Sequence, residues 1–472
     1  MTMQRRNGPA LTGFLLGALA LVSAGPAFSQ ARTLQDALSE AYANNPTLQS
    51  NRALLRATDE GVPQALAGWR PTIALAGSVG YGDGTFRNAS RGSFAPTTTR
   101  NSRDIFSDQA TLTQPLYRGG ATRAGTSAAD NRVFGQRARL LATEQLVFTN
   151  TINAYVGVIQ AQQLLQLNIN NEQVLARQLQ ATNDRFRVGE ITRTDVAQAE
   201  AALAGARATR QTSEGNLQTA RATYRQLVGE LPDQLVEPQP IKLPIKNQAE
   251  VIQLSSANNP NVIAALFDDA AAKDNIDLAF SQLMPQLSLQ ASAARSDNSS
   301  IYGQRSIGGQ VLLNASVPIY QGGAEYSKVR QAKQQEQQAR KNIEDVRRQS
   351  IQQATAAWET LQATRATIDS TRAQIRANRI ALEGTQREAI VGSRTTLDVL
   401  NAEQTLLNSQ VTLVQNLANL VTNSYAVAAA IGRLTARDLN LNVPLYDETA
   451  YYNAVRQKLF GVNDAATSQP GR

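Results

Sequence analysis

The chain has 472 residues, no cysteine, no histidine and a formal charge of +8. Lacking those two residue types, it has no disulfides, thiol nucleophiles, Cys or His metal sites, or His-based acid–base mechanism. It also shows no GxxxxGK[ST] phosphate loop and no dense Lys/Arg block with interleaved aromatics that would mark a nucleic-acid partner. No carboxylate pair stands out, so the reading is a non-enzyme without metal or cofactor.

Arg5 and Arg6 precede an apolar stretch from Ala10 to Ala24, and small residues follow at Ala27 and Ser29. That pattern predicts a secretory signal over residues 1–29, with cleavage after Ala27 as the other option. Losing the two arginines would lower the charge to +6. The apolar stretch is shorter than the ~20 residues that span a bilayer. Elsewhere no apolar run is long enough to cross a membrane as a helix, which leaves a β-barrel or a soluble exported protein.

A short helix is expected over about 33–43, then Asn44-Asn45-Pro46, with Asn as N-cap and Pro at the first helical position of a second helix. Near Pro71 that helix gives way to a strand over about 72–82, in which Ile73, Leu75, Val79 and Tyr81 share one face. A polar loop, Asp83 to Asp104, leads to a second strand over about 105–117 that alternates less cleanly, because Asp108 falls in line with Phe106, Ala110 and Leu112. Gly119-Gly120 then releases the chain into a very long helix, roughly Ala124–Arg187, turned back at Gly189 into a helix reaching Gly229. The order then repeats. A short helix (247–257), Asn259-Pro260, strands over about 286–296 and 306–320 and Gly322-Gly323 lead to a long helix, Glu325–Ala389, and a return from Gly392 to Gly432. Residues 446–472 read as a C-terminal helix and a disordered tail.

The two series are related by fixed offsets. Ala43-Asn44-Asn45-Pro46 recurs 214 residues later as Ala257-Asn258-Asn259-Pro260, and Pro71 recurs as Pro285. From Pro115 onward the offset is 203, which relates PLYRGG to PIYQGG, Asp195-Val196 to Asp398-Val399 and Gly229 to Gly432. One internal loop longer by 11 residues accounts for the change, so the chain reads as two repeats, 30–245 and 246–445. Seven-residue spacing (Ala354, Leu361, Ile368, Ile375, Leu382; Val399, Leu406, Leu413, Leu420, Val427) marks coiled-coil packing. The companion positions Thr364, Thr371, Asn378, Ala402, Ser409 and Asn416 are small or polar, which suits close helix contacts beside water. Alternation alone leaves the strands open between a lipid-facing barrel and a half-buried soluble sheet.

The order NNP, PLYRGG, FRVGEITRTDVAQAE, LVGELP, then NNP, PIYQGG, IVGSRTTLDVLNAEQ, AAIGRL, resembles the TolC family of outer-membrane efflux and secretion proteins over about 33–445. The resemblance implies a mainly α fold with a small transmembrane β part: a homotrimer whose twelve-stranded β-barrel, set in outer-membrane lipid, continues into a twelve-helix periplasmic tunnel. It implies a passive export duct for small toxic molecules or secreted proteins, docked through a periplasmic adaptor onto an inner-membrane pump of the ABC or RND type. It places a periplasmic gate at Asp195, Thr194 and Arg394, a lumen constriction ring at Asp398, and adaptor docking at the Gly189 and Gly392 tips. A second acidic ring of the family falls on Asn401 and a gating Tyr on Ala389, so ring and closure should differ from the family pattern. Against these roles, Thr192-x-x-Asp195 and Thr395-x-x-Asp398 each read equally as capping boxes. A periplasmic coiled-coil adaptor or scaffold is the alternative function, though adaptors lack paired strands placed symmetrically in a repeated chain.

Overall fold

The computed structural model describes residues 32–88, 97–232, 234–299 and 302–463. The expected signal (1–29), the apex of the first polar loop and the end of the expected tail lie outside the described residues.

Two small helices, α1 (Leu34–Asn44) and α2 (Pro46–Asp59), open the structure. Asn45 joins them: its side chain accepts from the amides of Thr47 (3.0 Å) and Leu48 (3.4 Å), and Pro46 fills the first helical position, where no amide is needed. A single-turn-plus helix α3 (Gly61–Leu66) leads to strands β1 (Thr72–Asn88) and β2 (Thr97–Arg118). Then come the long helix α4 (Ala121–Arg187) and its return α5 (Arg193–Val228). The second series consists of α6 (Gln248–Asn258), α7 (Pro260–Phe280), β3 (Gln286–Asp297), β4 (Arg305–Ser316), α8 (Ala324–Ile390) and α9 (Thr396–Ala430). Asn259 caps α7 as Asn45 caps α2, accepting from the Asn261 amide at 2.9 Å. Both α4 and α8 have 67 residues, a length of about 100 Å at ~1.5 Å per residue.

The strands form one antiparallel sheet in the order β1-β2-β3-β4. Its register puts Ile73 beside Leu112, Leu112 beside Ala291 and Ala291 beside Val311, so one face is apolar across all four strands. That face is bare: Ile73 is 76% and Val79 83% exposed. Thr111, Ser292 and Gln310 line up on the opposite face. Asp108, the break in the pattern, pairs in register with Arg295. Arg295 holds Asp297 at 2.7 Å, and Arg305 holds the same carboxylate at 2.9 Å.

The first hairpin is longer than expected. Much of the segment from Asp83 to Asp104, read as loop, continues as strand to Asn88 and from Thr97, because polar cross-strand pairs replace the apolar ones. Arg100 bonds Asp83 at 2.8 Å, and the Tyr81 and Ser102 hydroxyls bond each other. β4 is shorter than expected and stops at Ser316, two residues before Pro318, whose ring offers no amide to the ladder. The expected C-terminal helix is only Ala450–Val455 (α10). It is pinned by Tyr451 to Glu60 (2.8 Å) and by Tyr452 to Asp130 (2.7 Å).

The main hydrophobic core lies midway along the long helices, where α1, α2 and the segment after α9 wrap them. Phe148, Ile152, Tyr155 and Tyr224 are fully buried there, together with Leu38, Leu48 and Leu434. The Tyr155 hydroxyl donates to the Arg32 and Val236 carbonyls at 2.8 and 2.7 Å. Away from this core, helix pairs meet through polar rungs rather than apolar knobs alone. Asn423 donates to Thr364 (3.1 Å), Asn416 to Thr371 (3.3 Å) and Asn378 to Ser409 (2.8 Å), so the α8–α9 hairpin carries a hydrogen-bonded ladder with seven-residue spacing. In the α4–α5 hairpin Asn168 donates to Ser213 at 2.7 Å.

Candidate gate at the hairpin tips

Both long hairpins turn in the same way. Gly189 and Gly392 take φ of +81° and +79°, which Gly adopts without a Cβ penalty. Each turn closes with paired backbone bonds: Glu190 N to Arg185 O and Gly189 N to Phe186 O in the first, Ser393 N to Glu388 O and Gly392 N to Ala389 O in the second, all 3.0–3.3 Å. These satisfy carbonyls that a helix end would otherwise leave unpaired. The chain re-enters helix at Thr192 and Thr395. Asp195 accepts from the Thr192 amide (3.0 Å) and hydroxyl (2.7 Å), and Asp398 accepts from those of Thr395, both at 2.9 Å. Both capping boxes therefore form.

Charge differs between the tips. In the first, Arg185 near the end of α4 pairs across the turn with Glu190 at 2.6 Å. In the second the polarity is reversed: Glu388, 203 residues after Arg185, accepts from Arg394 at 2.9 Å. Hydrogen bonding to Arg185 lowers the Glu190 carboxyl, and the bond to Glu388 raises the Arg394 guanidinium. The Thr395 amide and hydroxyl hold Asp398 below the usual carboxylate range, with Arg394 adding to the effect. Within this chain Arg394 is thus joined to Glu388 and not to Asp195. Thr194 and Asn401 are exposed, the Asn401 carbonyl accepting from Thr405, and Ala389 is buried. At the extremity Val188, Ile390 and Val391 present apolar side chains to solvent, each 77–78% exposed.

The chain matches the family model described as outer membrane efflux protein in two segments, residues 37–230 and 251–433. It belongs to the TolC family of outer membrane efflux proteins. The outer membrane efflux protein BepC of Brucella suis is 36% identical over 433 residues, covering 91% of this chain and 92% of that one. The outer membrane protein TolC of Escherichia coli is 26% identical, covering 87% and 84%. Among solved structures, the outer membrane protein VceC of Vibrio cholerae superposes with a TM-score of 0.71 at 22% identity, over 84% of this chain and 96% of that one.

This TolC-family chain is therefore an outer-membrane exit duct with a long periplasmic extension, and members of the family are channels rather than enzymes. The adaptor or scaffold alternative falls with that assignment. No described helix is long and apolar enough to cross a membrane. Sequence reading missed three tip residues, Arg185, Glu190 and Glu388. A signal was available: opposite charges five or six residues apart across a turn glycine.

Proposed function

We propose that three copies of this chain join their sheets edge to edge into a twelve-stranded barrel, and that their helical hairpins form the wall of one periplasmic tunnel. The observation that carries this is the sheet itself: among the described residues it has four strands, an apolar bare face and two unpaired edges, β1 and β4. Unpaired strand edges are not viable in hydrocarbon, where each unmet backbone group costs several kcal/mol. Four strands are too few to close, since the smallest membrane barrels have about eight. β3 and β4, of 12 residues each, extend ~40 Å at ~3.3 Å per residue. Tilted as barrel strands are, they would cover a hydrocarbon core of ~30 Å.

In this reading the hairpin tips are the gate. Arg394 and Asp195, with Thr194, hold neighbouring hairpins together, while Asp398, followed one turn on by Asn401, forms the constriction ring. The bare Val188, Ile390 and Val391 beside Gly189 and Gly392 are what a periplasmic adaptor grips, and an inner-membrane pump of the ABC or RND type supplies the energy. The cargo is small toxic molecules or secreted proteins. Light scattering of the detergent-purified protein tests the assembly: a folded monomer or dimer would overturn it. A deletion strain assayed for both drug sensitivity and loss of secreted proteins assigns the cargo.

A further inference from the structure

Between Val399 and Ala430 the α9 helix contains a single charged residue, Glu403. It is 7% exposed and faces a cavity of about 300 Å³ in the seam between the two hairpins of the protomer. The cavity walls include Asn171 and Leu175 of α4, Ala206 and Thr209 of α5, and Leu400 and Gln404 of α9. Gln386 of α8 donates to one carboxylate oxygen over a long 3.5 Å, and the other oxygen, fully buried, has no hydrogen-bond partner among the described residues.

The charges around it are engaged elsewhere. Glu172 of α4 is held by Arg207 (3.3 Å) and Arg210 (3.0 Å) of α5, and Arg387 of α8 pairs with Glu383. Asp398, the other acid at this end of α9, is satisfied by Thr395, and Glu200 of α5 is exposed. An ionised carboxylate in such a place costs several kcal/mol without a cation or a full set of donors. A neutral acid costs far less. Glu403 lies eight residues past the cap Thr395, about 12 Å from the tip.

We propose that Glu403 is a proton-operated latch. Protonated, it lies in the closed seam and keeps α9 seated against α4 and α5; ionised, it draws water into the cavity and frees the tip to move. The latch rests on the reading of the tips as a gate. Burial raises the Glu403 carboxyl above its ordinary value, in keeping with this. The sign follows: the closed seam binds the proton more tightly than the opened one, so closure is favoured at low pH and lost as pH rises through the raised value.

The test uses the purified full-length assembly. Hydrogen exchange of the segments 199–209 and 396–407, corrected for the intrinsic chemical rate, is followed from about pH 5 to about pH 8, together with open probability in planar bilayers. In the wild type, protection should fall several-fold and open probability should rise. Glu403→Gln should stay protected and shut across the range, and so should Glu403→Leu, which guards against a defect peculiar to the amide. Glu200→Gln, at the matching position of the other hairpin, should follow the wild type. A wild type without pH response, or a Glu403→Gln response equal to wild type, would overturn the latch and leave the duct standing. Exchange that tracks Glu403 in an assembly that never conducts would instead sink the gate reading.

Discussion

Asp398 receives two hydrogen bonds from Thr395 and is half-buried. Its carboxyl is held below the usual range, so the charge, and the cap it makes, are present above the ordinary Asp pKa. They are lost only as pH falls through the lowered value. Cation preference, read as the reversal potential across a salt gradient, should therefore persist on acidification to the ordinary Asp value. Asp398→Asn should weaken it at every pH, and unchanged selectivity would leave Asp398 as a helix cap alone. Arg394 has a partner that residue spacing did not single out. Because Glu388 holds the guanidinium at 2.9 Å, both Arg394→Ser and Glu388→Gln should raise open probability several-fold while assembly stays intact. A silent Glu388→Gln beside an active Arg394→Ser would show that Arg394 works through a contact outside its own hairpin, such as Asp195 of a neighbour. The capping boxes and turn glycines were legible because they are local patterns. Glu403 was not, since its role depends on where helix faces point after the turn.

The α8–α9 hairpin is zipped by Asn423–Thr364, Asn416–Thr371 and Asn378–Ser409. Heptad spacing identified all of these positions but Asn423 as small or polar beside an apolar seam; that they bond each other required the antiparallel phase of the two helices, which spacing within one helix does not contain. Thr371 is buried, and so the order in which a rung is dismantled matters. Asn416→Ala should cost about 1 kcal/mol, the net worth of one hydrogen bond, since the Thr371 hydroxyl keeps its bond to the Thr367 carbonyl at 2.8 Å. Thr371→Val combined with Asn416→Leu should cost less than that single change, because both partners of the bond are then replaced by apolar groups. Thermal melting of the helical circular-dichroism signal would rank them, and a double variant worse than Asn416→Ala would mean that the seam is too tight for leucine. The strands were legible at their apolar ends, where period two is strong. Their polar extensions at 83–88 and 97–104 were not, because threonine, arginine and glycine carry no alternation.

At the scale of the assembly, the offsets in the sequence also relate the strand registers. Thr72 pairs with Thr113, and Gln286, 214 residues after Thr72, pairs with Ser316, 203 after Thr113. If the seam between protomers copies the β2–β3 pairing inside one, its register can be written down. Thr111 pairs with Ser292; shifting each by its own offset gives Asn314 of β4 opposite Ser78 of the next protomer's β1. Ser78 and Asn314 both point away from the apolar face, as Thr111 and Ser292 do. Directly opposed residues bring their Cβ atoms to within ~4.5–5.5 Å, close to disulfide reach. The chain has no cysteine of its own, so an engineered pair has no competitor. Ser78→Cys with Asn314→Cys should form a reducible cross-link between protomers, and the products on a denaturing gel should end at three linked chains, because a closed ring leaves no free edge. Ser78→Cys with Leu313→Cys should not cross-link, since a step of one residue moves a side chain to the other face of the sheet. A ladder running beyond three would mean open, fibre-like edge pairing, and efficient cross-linking of the control pair would put the seam in a different register.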